Sequence, residues 1–167
     1  MTDYYSQTVV RTDIPRSALT RLEFDVLSQI FSHEVVGDDI YFFAEHGLND
    51  IAYVTAEAAN AFAEADRGIA STLADHVAEA MTMLPDDDEQ IEIDVAAIGY
   101  EKIFQDVVRR SALGFIEVET AWTCTKMRPD GFGGAATLIT ASAIESMSTS
   151  SWLDEAIARL EPEPAPG

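Results

Sequence analysis

Residues 122–134 combine aromatic, cationic and acidic side chains with a glycine-rich run. Cations and an aromatic ring beside a flexible loop could bind a small ligand, so this loop is one candidate site. Phosphate-binding glycine loops are followed directly by a helix N-terminus. Here the predicted neighbours are strands on both sides, which indicates a hairpin loop. The candidate ligand-binding residues are Trp122, Lys126, Arg128, Asp130 and Phe132.

The single cysteine and the three histidines do not form a catalytic or metal-binding pattern. Cys124 shares strand parity with apolar residues, which predicts a buried side chain rather than a reactive thiol. His33-Glu34 begins like a zinc-protease motif, but Gly37 stands where the second histidine is needed. The chain also has no G-x-S-x-G nucleophile motif. We therefore expect no metal site, no cofactor and no catalytic residues, and the sequence favours a non-enzymatic function.

Acidic residues dominate the charge, with 30 Asp and Glu against 10 Lys and Arg and a formal net charge of −20. Four of them recur on one side of a helix predicted over residues 55–84, and three more follow in the loop after it. Such a surface could block a basic nucleic-acid-binding cleft, although duplex DNA carries a charge about every 1.7 Å and this row is sparser. The candidate partner-binding residues are Glu57, Glu64, Asp75, Glu79, Asp86, Asp87 and Asp88.

The same charge balance excludes some partners. Direct binding to nucleic acid or to anionic membranes needs cations facing phosphates, which this chain largely lacks. No apolar run reaches the roughly 18 residues of a membrane span, and the N-terminus does not resemble a signal peptide. We therefore predict a cytoplasmic protein whose partner is another protein with a basic surface. A homodimer is an alternative, and solubility or adaptation to a salty host could also explain the charge.

Five basic residues cluster between Lys102 and Arg128. Two interpretations stay open for them. They form internal ion pairs and helix-end charges, or they serve an external role, either as an anion site between the end of the predicted third helix and the loop at Arg128 or as a self-complementary dimer contact. The sequence alone does not separate these two. The five residues are Lys102, Arg109, Arg110, Lys126 and Arg128.

Length and apolar periodicity predict one domain over residues 1–160 and a disordered, proline-rich tail over residues 161–167. Thr20 and Glu23 form a capping-box pattern at the start of the first helix. Residues 66–68 favour a break in the long helix, and Ser142 with Glu145 could cap a short helical turn. The predicted strands are residues 5–11, 35–36, 40–45, 51–54, 91–95, 115–127 and 135–140, and the predicted helices are residues 20–33, 55–84, 100–113 and 152–160.

The hairpins in this order of elements predict an α+β fold. We expect a mainly antiparallel sheet built from hairpins, with about four helices packed largely on one face. Together with the charge, this favours an acidic interaction or regulatory protein that binds another protein. The alternative is a small-ligand-binding protein or enzyme with its site near residues 126–134.

Overall fold

A computed structural model describes residues 1–160, and the tail predicted to be disordered, residues 161–167, lies outside them. The chain forms nine strands and six helices over the described residues. The strands are β1 (Tyr4–Val10), β2 (Ile14–Pro15), β3 (Ser32–Val36), β4 (Asp39–Ala44), β5 (Ile51–Thr55), β6 (Gln90–Asp94), β7 (Ile116–Cys124), β8 (Gly133–Ile139) and β9 (Ile144–Ser148). The helices are α1 (Arg21–Ile30), α2 (Ala56–Ala65), α3 (Thr72–Thr82), α4 (Val95–Ile98), α5 (Tyr100–Arg110) and α6 (Thr149–Ala158).

The main sheet is antiparallel and is built from hairpins, as the sequence predicted. Its order is β3–β4–β1–β7–β8–β9, and the short β2 pairs with the same strand, β4, as β1 does. Gly37, with φ +65°, closes the hairpin of β3 and β4. Because β1 is inserted between β4 and β7, the N-terminal strand joins two hairpins that are far apart in the chain. The α+β class is confirmed.

Alternation along the strands gives the sheet two different faces. On the core face, Val10, Phe42, Val118 and Ile139 are fully or almost fully buried. Helices α1, α3 and α5 contribute the other large members of this core, including Phe104, whose ring lies 6.0 Å from that of Phe42. Helices α1 and α5 therefore pack on one side of the main sheet, as expected, and α3 packs against both of these helices and against β6. The opposite face is partly open, and we call it the open face.

Helix α6 departs from the expected arrangement. None of its residues is buried, whereas every other helix buries at least one. It borders the open face rather than the core face, where Trp152 and Leu153 line the same depression as Val9 and Phe43 of the sheet. The expectation that the helices lie largely on one face holds for the core helices and fails for this one.

The predicted break in the long helix is confirmed. Helix α2 ends at Ala65, Gly68 adopts φ +86°, and Ser71 caps the start of α3. Asp66 leaves the apolar face and accepts a hydrogen bond from the backbone N–H of Arg21 at 2.8 Å. This hydrogen bond connects the end of α2 to the first turn of α1.

The helical turn predicted at Ser142 and Glu145 is wrong, because Ser142 lies in a turn between two strands and Glu145 lies in β9. Thr140 and Ala143 exchange hydrogen bonds of 2.9 and 3.0 Å, which close a tight turn. Ile144 then pairs with Ile139 across the hairpin. Strands β5 and β6 were also predicted individually, but the sequence did not show that they form a separate two-stranded sheet.

A buried ion pair between Glu23 and Arg110 connects the helices of the core. Glu23 is fully buried, and both of its carboxylate oxygens accept hydrogen bonds from the Arg110 guanidinium. The carboxylate also accepts from the Thr20 backbone N–H at 3.0 Å, completing the predicted capping box, and from the Ser71 hydroxyl at 3.0 Å. The guanidinium donates to the carbonyls of Ala18 and Ala70 at 3.0 and 2.7 Å. One pair therefore holds the starts of α1 and α3 against the end of α5.

Removing one partner of this pair is expected to be costly. Arg110→Met would leave the Glu23 carboxylate buried without its counter-charge, and we expect the free energy of unfolding in urea to fall by about 3–5 kcal/mol. Arg67→Met breaks an exposed pair with Glu64 and is the matched control, with an expected change of under about 1 kcal/mol. Equal losses from the two substitutions would contradict a central role for the buried pair.

Candidate functional site

The open face presents a row of side chains that crosses five strands. Strand register pairs Phe43 with Val9, Val9 with Glu119, Glu119 with Ala136, and Ala136 with Met147. Paired residues share a face of an antiparallel sheet, so these five side chains stand side by side. Four of the five are apolar, although this is not the core side of the sheet. The row forms the floor of a groove.

Helix α6 forms one wall of this groove. It begins directly after β9, where Ser148 caps it by accepting a hydrogen bond from the Ser151 N–H at 3.1 Å. The Thr149 hydroxyl accepts from the Gly134 N–H at 3.0 Å, which fixes the first turn of the helix against β8. A Cβ atom at Gly133 would lie 3.0 Å from the same hydroxyl. The glycine-rich run therefore lets α6 approach the sheet closely.

The depression between the open face and α6, which we call the sheet groove, has a volume of about 980 Å³. This lies at the upper end of the range for ligand pockets. Its lining includes Tyr41 and Phe43 from β4 and Trp152 and Leu153 from α6. The charged residues in the lining are Glu45 and Glu119, and no lysine or arginine contributes to it. The groove is thus mainly apolar, with two carboxylates in its lining, of which Glu119 lies in the row that forms the floor.

Several of its apolar side chains are strongly exposed. Met147, Trp152 and Leu153 expose 54%, 49% and 53% of their surface, respectively. Ile157 and Leu160 continue the exposed apolar surface along α6 and past its end. A contiguous apolar patch of this kind marks a binding surface far more often than an isolated exposed leucine does. The groove is the strongest candidate site in the described residues.

The ligand-binding loop predicted from the sequence does not contribute to the groove. Lys126, Arg128, Asp130 and Phe132 are exposed in or beside the loop between β7 and β8 and are absent from the groove lining. Trp122 lies on the other face of β7, where its ring packs close to Gly133. These five residues remain a prediction.

The predicted acidic surface is exposed but is not a single row. Glu57 and Glu64 lie on α2, Asp75 and Glu79 lie on α3, and the break at Gly68 separates the two pairs. Glu64 is also paired with Arg67 at 2.6 Å. The arrangement derived for one continuous helix is therefore wrong. Exposed residues of the following loop complete the predicted set, namely Asp86, Asp87 and Asp88.

Arginines of the basic cluster take part in internal contacts. Arg110 is bound to Glu23, and Arg109 donates to Asp106 at 3.3 Å and to the Ala141 carbonyl at 3.0 Å. Of the two interpretations of this cluster, ion pairing is confirmed for these two residues. The guanidinium of Arg110 is consequently not available for an anion between α5 and the loop.

The expectation for Cys124 is confirmed, because its side chain is buried on the core side of β7. Among residues 1–160, no three His, Cys, Asp or Glu side chains lie close enough to hold a metal ion. None of the helices in this same range is long and apolar enough to cross a membrane.

The search among known proteins leaves the geometry as the basis for function: no family model, curated protein or solved structure matches this chain. The sequence does contain a signal for the groove, in β4. Ile40, Phe42 and Ala44 of this strand face the core, and the alternate residues Tyr41 and Phe43, which face the other way, are aromatic instead of polar. A strand that is apolar at both parities has two faces to cover.

The openness of the groove can be tested with its tryptophan. Trp152 and Trp122 are the two tryptophans of the chain, so Trp122→Phe leaves emission from the groove alone, and Trp152→Phe is the matched control. We expect acrylamide to quench Trp152 more strongly than Trp122, because half of the Trp152 surface is exposed and Trp122 is partly buried. Strong protection of Trp152 at all protein concentrations would show that another part of the chain covers the groove.

Proposed function

We propose that this is a non-enzymatic interaction protein that binds an apolar, basic segment of another protein in the sheet groove. The observation that carries the proposal is the apolar row on the open face, left uncovered beside an α6 that buries none of its own residues. An amphipathic helix laid into such a groove is a recurring mode of peptide recognition.

The apolar part of the interaction follows from the floor and the wall. Val9, Phe43 and Met147 on the sheet face Trp152 and Leu153 on the helix across the groove. Aromatic side chains and methionine are favoured at protein interfaces, because they bury large area and adapt to the partner's shape. A partner that presents a stripe of apolar side chains would remove this surface from water.

The charge of the partner follows from the two carboxylates in the lining of the groove. Glu45 and Glu119 line it, and Arg11 approaches Glu119 only at 3.7 Å with both side chains exposed, so this pair is weak. The net charge of −20 adds a long-range attraction for cations. Lysines or arginines flanking the apolar stripe of the partner would lie against these carboxylates and would speed association.

A second copy of the chain fits less well than a basic partner. A second copy would bring the same net charge of −20 to a groove whose lining already contains two carboxylates. Like charges placed together at an interface oppose binding. The homodimer therefore becomes an outcome that the experiment must be able to detect.

The acidic decoy remains a narrower version of the same function, in which the partner's segment comes from a basic nucleic-acid-binding cleft. The exposed carboxylates of α2, α3 and the following loop would then add to the attraction of the groove. Because the helix break divides them, they supply a diffuse negative potential rather than a row matched to phosphate spacing.

A synthetic peptide tests the groove directly. The probe is a helix of about 18 residues with leucines on one face and lysines on the other, titrated while the Trp152 emission of the Trp122→Phe protein is followed. We expect a blue shift on binding, because the peptide would shield the indole from water. A peptide of the same composition without an apolar face, and one with glutamates in place of lysines, should bind at least about tenfold more weakly.

Matched substitutions locate the binding surface. Met147→Glu places a charge on the floor of the groove and should weaken binding by about tenfold or more, whereas Met83→Glu alters an exposed methionine outside it and should have little effect. Lysine substitutions at Glu57, Glu64, Asp75 and Glu79 test the acidic surface separately. Equal effects of the two methionine variants would overturn the groove as the site, and sedimentation showing a dimer broken by Met147→Glu would identify a second copy as the occupant.

A further inference from the structure

A second cavity lies on the helical side of the molecule, away from the sheet groove. It has a volume of about 360 Å³ and is bounded by the outer side of α1, the start of β3 and one residue of α2. At about 30 Å³ per molecule it has room for roughly a dozen waters, which is the size of a small organic ligand. We call it the α1 pocket, and it shares no lining residue with the sheet groove.

One polar group in this pocket lacks a partner. The Ser28 hydroxyl is buried and makes no hydrogen bond to any atom of residues 1–160. A serine inside a helix usually donates to the carbonyl one turn earlier, which satisfies its hydroxyl within the helix. Buried polar groups without a partner are rare and call for an explanation. Ser28 belongs to the pocket wall, but its hydroxyl oxygen is shielded from the cavity, so a ligand in the pocket does not reach it.

The pocket also collects arginines in a chain that is short of cations. Arg16 and Arg21 both line it, and no carboxylate of residues 1–160 lies within 4 Å of either guanidinium. Of the eight arginines in residues 1–160, four pair with a carboxylate of this range and four do not, and Arg16 and Arg21 belong to the second group. Two guanidinium groups that are not paired with a carboxylate can together bind an anion at this cavity.

The walls of the pocket suit a flat, apolar body. Phe24 and Phe62 line it, and the Arg16 guanidinium lies 4.2 Å from the centre of the Phe24 ring. The His33 ring contacts the edge of Phe24, with 5.3 Å between ring centres. Aromatic walls with a cation held against one of them can stack an aromatic ring and hold its acidic substituent.

A further polar group of the lining, the Asp25 carboxyl, supplies an acceptor. Asp25 lines the same cavity and accepts a hydrogen bond from the Gln29 side chain at 3.3 Å. Partial burial raises the pKa of the Asp25 carboxyl, and the hydrogen bond from Gln29 opposes this shift. A carboxyl that is incompletely solvated gains from a further donor, such as a ligand hydroxyl or amine.

From this arrangement we propose that the α1 pocket binds a small aromatic carboxylate that also carries a hydrogen-bond donor. The ligand carboxylate faces Arg16 and Arg21, its ring packs between Phe24 and Phe62, and its hydrogen-bond donor reaches Asp25. The pocket is a binding site distinct from the sheet groove, and its occupation does not depend on the function proposed for the groove.

The test uses the full chain and a panel of hydroxy- and amino-substituted benzoates, each compared with the amide of the same shape. Binding is measured by ligand-observed NMR and then by calorimetry. We expect at least one acid of the panel to bind and its neutral amide to bind at least tenfold more weakly. No binding by any acid of the panel, or equal binding of acid and amide, would overturn the proposal.

Three substitutions assign the site. Arg16→Gln and Arg21→Gln should each lower the affinity about tenfold, whereas Arg128→Gln, in the loop between β7 and β8, should leave it unchanged. Loss of binding in Arg128→Gln alone would move the ligand to that loop and would refute the α1 pocket as its site.

Discussion

The fold depends on the ion pair between Glu23 and Arg110. A fully buried carboxylate is tolerable only when its charge and its lone pairs are satisfied. Here a guanidinium, the N-cap N–H of α1 and the Ser71 hydroxyl together do this. Because the donors come from α5, α1 and the start of α3, the pair can form only when all three helices are in place. It therefore fixes their arrangement over the core face of the main sheet.

Because these helices cover only one face of the main sheet, the opposite face is left partly open. The open face keeps apolar side chains on β1, β4, β8 and β9, and α6 borders it without burying any residue. The two cavities differ in charge, since Glu45 and Glu119 are the charged residues of the sheet groove, whereas Arg16 and Arg21 outnumber Asp25 in the α1 pocket. An acidic protein of this design can attract a cationic partner on one side and hold a small anion on the other.

Local signals in the sequence were sufficient for most elements. The capping box at Thr20 and Glu23, the turn at Gly37 and the break at Gly68 each depend on residues within a few positions of one another, and all three are present in the structure. The segment at Ser142 and Glu145 was mistaken for a helical turn, because its cap-like spacing matched that pattern locally. In the structure, Ile144 pairs with Ile139 across a hairpin, and this strand pairing overrides the local helical pattern.

The sequence by itself determined the α+β class, the acidic charge, the hairpins and the burial of Cys124, because apolar alternation and turn residues act at short range. Only the tertiary structure decided the candidate sites. Arg110 appeared to be a helix-end cation until the fold placed it against Glu23, 87 positions earlier in the chain. The sheet groove needs the register of five strands and the position of α6 beside glycines of β8. The α1 pocket needs α2 to fold back over α1. Such contacts join residues far apart in sequence, and no local pattern encodes which of the compatible partners will meet.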